Sequence, residues 1–182
     1  MSPEAVIAAL AETLPPYAAD IARGLSALAA ETTLTGQQKW GTYLASACAA
    51  AVPAVLQATE AAAVAGGLND AVRASAKGAA AVMAQNNVYF RAVSLLKNQE
   101  YRAMRSGLRM NIVFNPGVPK DDFDLWCVAV SAINGCPDCL DSHEGDLRKR
   151  GVSAEAVQAA LRIASVVHAT GRVLAAKAVA LG

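Results

Sequence analysis

Helix-start and helix-stop signals recur along this chain so regularly that no room is left for a sheet. Ser2 before Pro3 and Glu4 combines a capping hydroxyl, a first-turn proline and an early acid. Pro15 and Pro16 end that segment, and a second apolar stretch runs from about Tyr17 to Ala30. Thr35 and Gln38 form a capping-box pattern ahead of a helix that carries Trp40. Pro53 starts or kinks the next segment, and Gly66-Gly67 close it. Asn69 or Asp70 is expected to cap a long helix through Leu96, followed by a short polar helix near "NQEYRAMRSG". The segment "NPGVPK" reads as the one clear loop, after which Asp121 or Asp122 caps a helix carrying Trp126. "NGCP" restarts the chain as a new helix, Gly151 stops it, and Ser153 caps the last one. No segment alternates with period two long enough to make a strand. The fold class is therefore all-α.

Composition agrees. Hydrophobic residues make up 54% of the chain while aromatics are only 5%, so alanine, the best helix former, carries much of the apolar content. Sixteen basic against fifteen acidic residues leave a net charge of +1, which gives no reason to expect nucleic acid or an anionic membrane surface. The longest apolar run, "LASACAAAVPAVL", is too short for a span of about 20 residues and holds Ser46 and Pro53. "MSPEAVIAAL" lacks a basic start and carries Glu4, so it does not read as a secretory signal, and a cytoplasmic, reducing setting is expected.

The chain is read as a single domain over 1–182, with repeat units over about 35–97 and 119–182. "WGTYLASA" from Trp40 is echoed by "WCVAVSA" from Trp126, with "DAVRASA" and "EAVQAAL" downstream. From Ser46 and Ser131 onward the two halves run in step, and in that register Ala51, Ala54 and Ala58 fall opposite Cys136, Cys139 and His143, so the chemistry belongs to the second unit only.

That chemistry lies in "NGCPDCLDSHEGDLRKRG". Pro137 suits the first position of a helix, which makes Cys136 the N-cap. His143 follows Cys139 by four residues and Cys136 by seven, so the three share a helix face. Two thiols at this spacing can cycle between dithiol and disulfide. The N-cap position favours Cys136 as the more acidic thiol, whereas the imidazole one turn on favours Cys139. Other uses of the residues are weaker. A structural zinc built on Cys136, Cys139 and His143 lacks a fourth ligand, since His168 is the only other histidine. Haem attachment needs histidine directly after the second cysteine, where Leu140 stands. Inert buried cysteines fit poorly with Asp138, Asp141 and Asp146, which mark a wet helix. Cys48 and Cys127 sit singly in apolar stretches and read as small buried residues.

"CPDCLDSH" resembles the AhpD family, the alkyl hydroperoxide reductase D proteins of the carboxymuconolactone decarboxylase-like superfamily. "NNVYFR", "GLRMNIVFNPGVPK", "FDLW", "VSAINGC" and "WGTYLASA" carry the same resemblance, which covers roughly Leu14 to Leu174. It implies an AhpD-like helical subunit, a homotrimer, and a thiol peroxidase and disulfide reductase acting on alkyl hydroperoxides. It also implies electrons drawn from dihydrolipoyl groups of a lipoylated dihydrolipoamide acyltransferase and passed to an AhpC-like peroxiredoxin partner. No cofactor is expected to be bound; the redox group is the Cys136–Cys139 disulfide, and no metal is implied. Cys139 matches the family's peroxide-reacting cysteine, Cys136 the resolving cysteine and proton donor, and His143 the relay histidine. Asp124 stands where the family has glutamate, one methylene shorter, so its bond to His143 is expected to need a water or a small helix shift. Asp138 stands between the cysteines where histidine is common, and a carboxylate there raises a neighbouring thiol's pKa.

Elsewhere, Asn86 and Asn87 read as interhelical hydrogen bonders, Trp40 and Trp126 as core, and His168 as structural. "RKR" at 148–150 reads as a solvated helix end. Two alternatives to a peroxidase remain: a disulfide reductase or adaptor with little peroxidase activity, and a non-redox protein that holds a metal or acts on a carboxylated lactone.

Overall fold

The capping signals place the helices where the chain puts them. In a computed structural model, which describes residues 1–179, the elements are all helical. Helix α1 (Pro3–Glu12) is capped by Ser2, whose hydroxyl accepts from the Ala5 amide. After a 3-10 turn over Pro16–Ala18 come α2 (Ala19–Ala29) and α3 (Gly36–Ala50). The capping box of α3 is complete: the Gln38 amide donates to the Thr35 hydroxyl at 3.2 Å, and the Thr35 amide to the Gln38 side chain at 3.0 Å. Then follow α4 (Pro53–Ala65) and α5 (Asp70–Leu95), with Asn69 capping α5. The short α6 (Glu100–Ala103) and α7 (Asn111–Phe114) lead to α8 (Lys120–Asn134), α9 (Pro137–Lys149) and α10 (Ala154–Val179).

One cap differs from expectation. Pro119 holds the N-cap of α8, so Asp121 and Asp122 lie inside its first turn. Asp122 serves a longer-range purpose. Its two oxygens accept from the side-chain amides of Gln37 at 2.7 Å and Gln38 at 2.9 Å, which pins the start of α8 to the start of α3.

Helices α3 and α8 form the centre. Every residue from Lys39 to Ala47, and from Asp122 to Ser131, is buried, so both helices are covered all round by the others. They approach closely because Gly41 faces the Trp126 indole, where an added Cβ would stand 2.3 Å from ring atoms. Gly66 meets Trp40 in the same way, at 2.4 Å. Gly41→Ala is therefore expected to lose about 1–3 kcal/mol net, an overpacking cost that exceeds alanine's helix preference. Gly36→Ala, where an added Cβ meets nothing, serves as the control. Thermal unfolding of the two variants checks this, at roughly 2–4 °C per kcal/mol for a chain of this size.

The runs α3–α4–α5 and α8–α9–α10 match in length, 15, 13 and 26 residues each. Aligned by their helix starts, Pro53 falls opposite Pro137, and Ala51 (φ 56°) opposite Gly135 (φ 68°), both left-handed. Cys136, Cys139 and His143 then fall opposite Val52, Val55 and Thr59, one residue from the register read in the sequence. Trp40 and Trp126 are no longer equivalent, because Trp40 falls opposite Asp124. The tryptophan-to-tryptophan alignment was set by alanine-rich similarity, which tolerates a slip. Positions 180–182 at the end of the second unit lie outside the described residues.

Candidate functional site

The site forms because α8 ends in a tight left-handed turn. The amides of Gly135 and Cys136 donate to Ala132 at 3.2 Å and Ser131 at 3.1 Å, and Gly135 supplies the positive φ that a side chain would strain. The chain turns back at once, Cys136 becomes the N-cap of α9, and Pro137 occupies its first turn as expected. Helix α9 then lies against α8 and α5.

The four residues singled out in the sequence come together. Asp124 reaches across from α8, and its Oδ1 lies 2.9 Å from His143 Nδ1, a direct bond with no intervening water or helix shift. The shorter acid suffices because α8 and α9 pack closely there. Asp124 is wholly buried and also accepts from Lys120, one turn earlier on α8, and from Arg150 Nη2 at 2.6 Å. Burial works against ionisation of Asp124. The bonds from His143 and Lys120 outweigh it, and the carboxyl is held below its usual range.

Cys139 and Cys136 differ in access. A cavity of about 460 Å³ opens beside α9. Cys139, His143, Ser142, Asp138 and Lys120 supply its polar side, while Met83, Phe90, Met110, Val113 and Phe114 supply an apolar wall. Cys139 lines this cavity; Cys136 does not, and is 0% exposed. Both sulfurs are free thiols. Burial, the neighbouring Cys136 and the Asp138 charge push the Cys139 thiol up to about 12, partly offset by the Asn87 amide. Asp138 thus acts on the thiol in the direction expected of it. Burial also raises Cys127 and Cys48, neither of which reaches the cavity.

Two residues that the sequence reading left outside the site belong to it. Asn87 ties α5 to α8, donating to Ser131 Oγ at 3.0 Å and accepting from Asn134 at 3.0 Å, and it also bears on the Cys139 sulfur. Arg150 closes an exposed helix end, as read, but it also reaches back to the site. Its Nε donates to Asp121 at 2.5 Å while Nη2 holds Asp124, because α9 ends directly over the start of α8. The available signal was its place seven residues beyond His143, on the same face of α9. Arg148, Lys149 and Arg150 are all exposed, as read.

A zinc set of Cys136, Cys139 and His143 is not what the fold assembles. Among the described residues, Asp124, Cys127 and His143 place potential ligand atoms within 4.8 Å of one another. Asp124 there already answers two cationic side chains, and Cys127 is held firmly in its thiol form, so this donor set suits a metal ion poorly.

Comparison with known proteins gives the family. The carboxymuconolactone decarboxylase family matches residues 99–181, which include α8, α9 and the trio. A protein from Maricaulis maris named alkyl hydroperoxide reductase AhpD is 53% identical over 94% of this chain and 98% of its own length. Proteins of the same name from Hyphomonas neptunium and Streptomyces coelicolor are 53% and 51% identical, covering 91% and 93% of this chain and 91% and 95% of their own lengths. The chain belongs to the AhpD family. These matches extend over nearly the whole chain. Among the described residues, no helix is long and apolar enough to cross a membrane.

Proposed function

We propose that this protein reduces organic hydroperoxides through Cys139 and Cys136. The observation that carries the reading is the division of the two sulfurs, one open to a cavity with an apolar wall and one sealed behind it. The names of its relatives support the same chemistry.

Burial and the neighbouring Cys136 hold the Cys139 thiol in its protonated form, so attack needs a base. His143 stands one turn away on the same face, oriented by Asp124, an arrangement of nucleophile, base and orienting acid. His143 takes the Cys139 proton as the sulfur attacks the terminal oxygen of ROOH. The O–O bond breaks, the alkoxide leaves as ROH with a proton from His143 or Cys136, and Cys139 becomes a sulfenic acid. The Cys136 thiol then displaces water from that sulfenic acid, forming the disulfide. An external dithiol restores both thiols, giving one ROH and one water per cycle. The apolar wall suits the alkyl part of the substrate.

The same reading takes the dithiol to be a dihydrolipoyl group on a lipoylated acyltransferase, the electron acceptor to include an AhpC-like peroxiredoxin, the assembly to be a homotrimer and the setting to be the cytoplasm. Resemblance to the family supports each of these. A second reading, a disulfide reductase with little peroxidase activity, is favoured by the high Cys139 pKa and by Asp138 beside it.

Thiol titration separates the two. One equivalent of cumene hydroperoxide is expected to remove two of the four thiols, with Cys48 and Cys127 retained. Thiols that persist with hydroperoxide but disappear with oxidised lipoamide select the second reading.

A further inference from the structure

The relay of Asp124 and His143 has one partner that its chemistry does not use. Arg150, at the C-terminal cap of α9, spans two acids one turn apart on α8, with Nε on Asp121 at 2.5 Å and Nη2 on Asp124 at 2.6 Å. Its side chain is one-third exposed (33%), whereas Asp124 is 0% exposed. The two oxygens of Asp124 are thereby divided. Oδ1 faces His143 Nδ1 at 2.9 Å and also takes the Lys120 ammonium, while Oδ2 belongs to Arg150.

That division matters because an aspartate's terminal torsion is broad, and Lys120 competes with His143 for the same oxygen. Without a hold on Oδ2, the carboxylate can turn toward Lys120 and leave the imidazole. A planar guanidinium, always charged and rigid in its fork, is the group suited to fix it. We propose that Arg150 is a positioning residue of the relay. By fixing Oδ2 of Asp124 it keeps Oδ1 on the Nδ1–H of His143, so that the other ring nitrogen is the one available to the Cys139 proton. This rests on the peroxide reading above for its purpose, though not for its geometry.

Arg150 also moderates charge. Of the groups around His143, α8 supplies Asp124, Lys120 and Cys127, and α9 supplies Cys139, Asp138, Asp146 and Arg150 itself. From α5 and α7 come only uncharged Met83, Asn86, Phe90, Val113 and Phe114. Losing Arg150 leaves Asp124 with one cation fewer, and its negative charge then bears more fully on His143.

The test uses the reduced full-length protein and its Arg150→Gln, Arg150→Lys and Asp121→Asn variants. Nitrogen NMR of the two histidines reports the His143 tautomer, and stopped-flow oxidation by cumene hydroperoxide is followed across pH. Wild type is expected to show the Nδ1–H tautomer. Arg150→Gln should mix the tautomers, slow oxidation about 10- to 100-fold near neutrality and move the acid limb of the profile upward. Arg150→Lys, which keeps the charge without the rigid fork, should recover only part of the rate, and Asp121→Asn, which leaves the Asp124 contact in place, should keep the wild-type tautomer. Arg150→Met replaces the glutamine variant if that one does not fold. A folded Arg150 variant with wild-type His143 signals and an unmoved pH profile overturns the proposal. If wild-type thiols ignore the hydroperoxide while Arg150→Gln still alters the His143 signals, the peroxide reading fails and the positioning role stands.

Discussion

Replacing Cys139 with serine is expected to bring reaction with an organic hydroperoxide down to the background level, whereas replacing Cys136 should leave a single round of it. Local chemistry leaves the order of the two sulfurs open, because the helix end argues for Cys136 and the imidazole for Cys139, and in the sequence only the family resemblance assigns attack to Cys139. Access favours Cys139. Cys139 lines the cavity and shares a helix face with His143, while Cys136 is sealed from solvent. A peroxide reaching the site meets only one sulfur. In Cys136→Ser that sulfur still oxidises, but the sulfenic acid has no partner thiol and should be trapped by dimedone or go on to sulfinic acid, with no turnover. Mass spectrometry of the two variants after one equivalent of cumene hydroperoxide distinguishes them. Adduct on Cys136 in the Cys139→Ser protein, with an unmodified Cys136→Ser protein, would reverse the assignment.

The parts of this fold legible in the sequence are those governed by local chemistry. Ser2, Thr35 with Gln38, Asn69 and Ser153 each accept the amide bond their positions imply, because a cap needs only the three residues that follow it. Cys136 at the N-cap and Pro137 behind it were readable for the same reason. What was hidden depends on distant partners. Asp122 has the residue type of a cap but spends both oxygens on α3, a contact that no local pattern records. Helix α7 is too short, at four residues, to show any period, yet it contributes Val113 and Phe114 to the cavity wall. Arg150 looked like an ordinary basic helix terminus because its acids lie on another helix. The direct Asp124–His143 bond was likewise a matter of how closely α8 and α9 pack, which side-chain length alone could not supply.

Asp124→Asn should be the most costly single change to stability among the site residues. The carboxylate is wholly buried and answers Lys120, Arg150 and His143 together, so neutralising it strands two cations beside an amide. Breaking such a buried arrangement from one side costs about 3–5 kcal/mol, and the lower end applies here because Lys120 and Arg150, about one-third exposed, can turn toward water. The pH dependence has a definite sign. The folded-state pKa of Asp124 lies below its ordinary value of 3.8, so its contribution is fully present above that value and is lost as pH falls through the depressed one. The part of the gap in unfolding free energy between wild type and Asp124→Asn that comes from this carboxylate should therefore close below about pH 4. Glu31 and Glu155 are also held below their usual range, but Asp124 contributes to neither shift and they cancel in the difference. Urea denaturation of both proteins at a series of pH values measures it directly. A gap that survives undiminished at pH 3 would mean that Asp124 stabilises the α8–α9 contact by shape rather than by charge, and the electrostatic account of the relay would have to be abandoned.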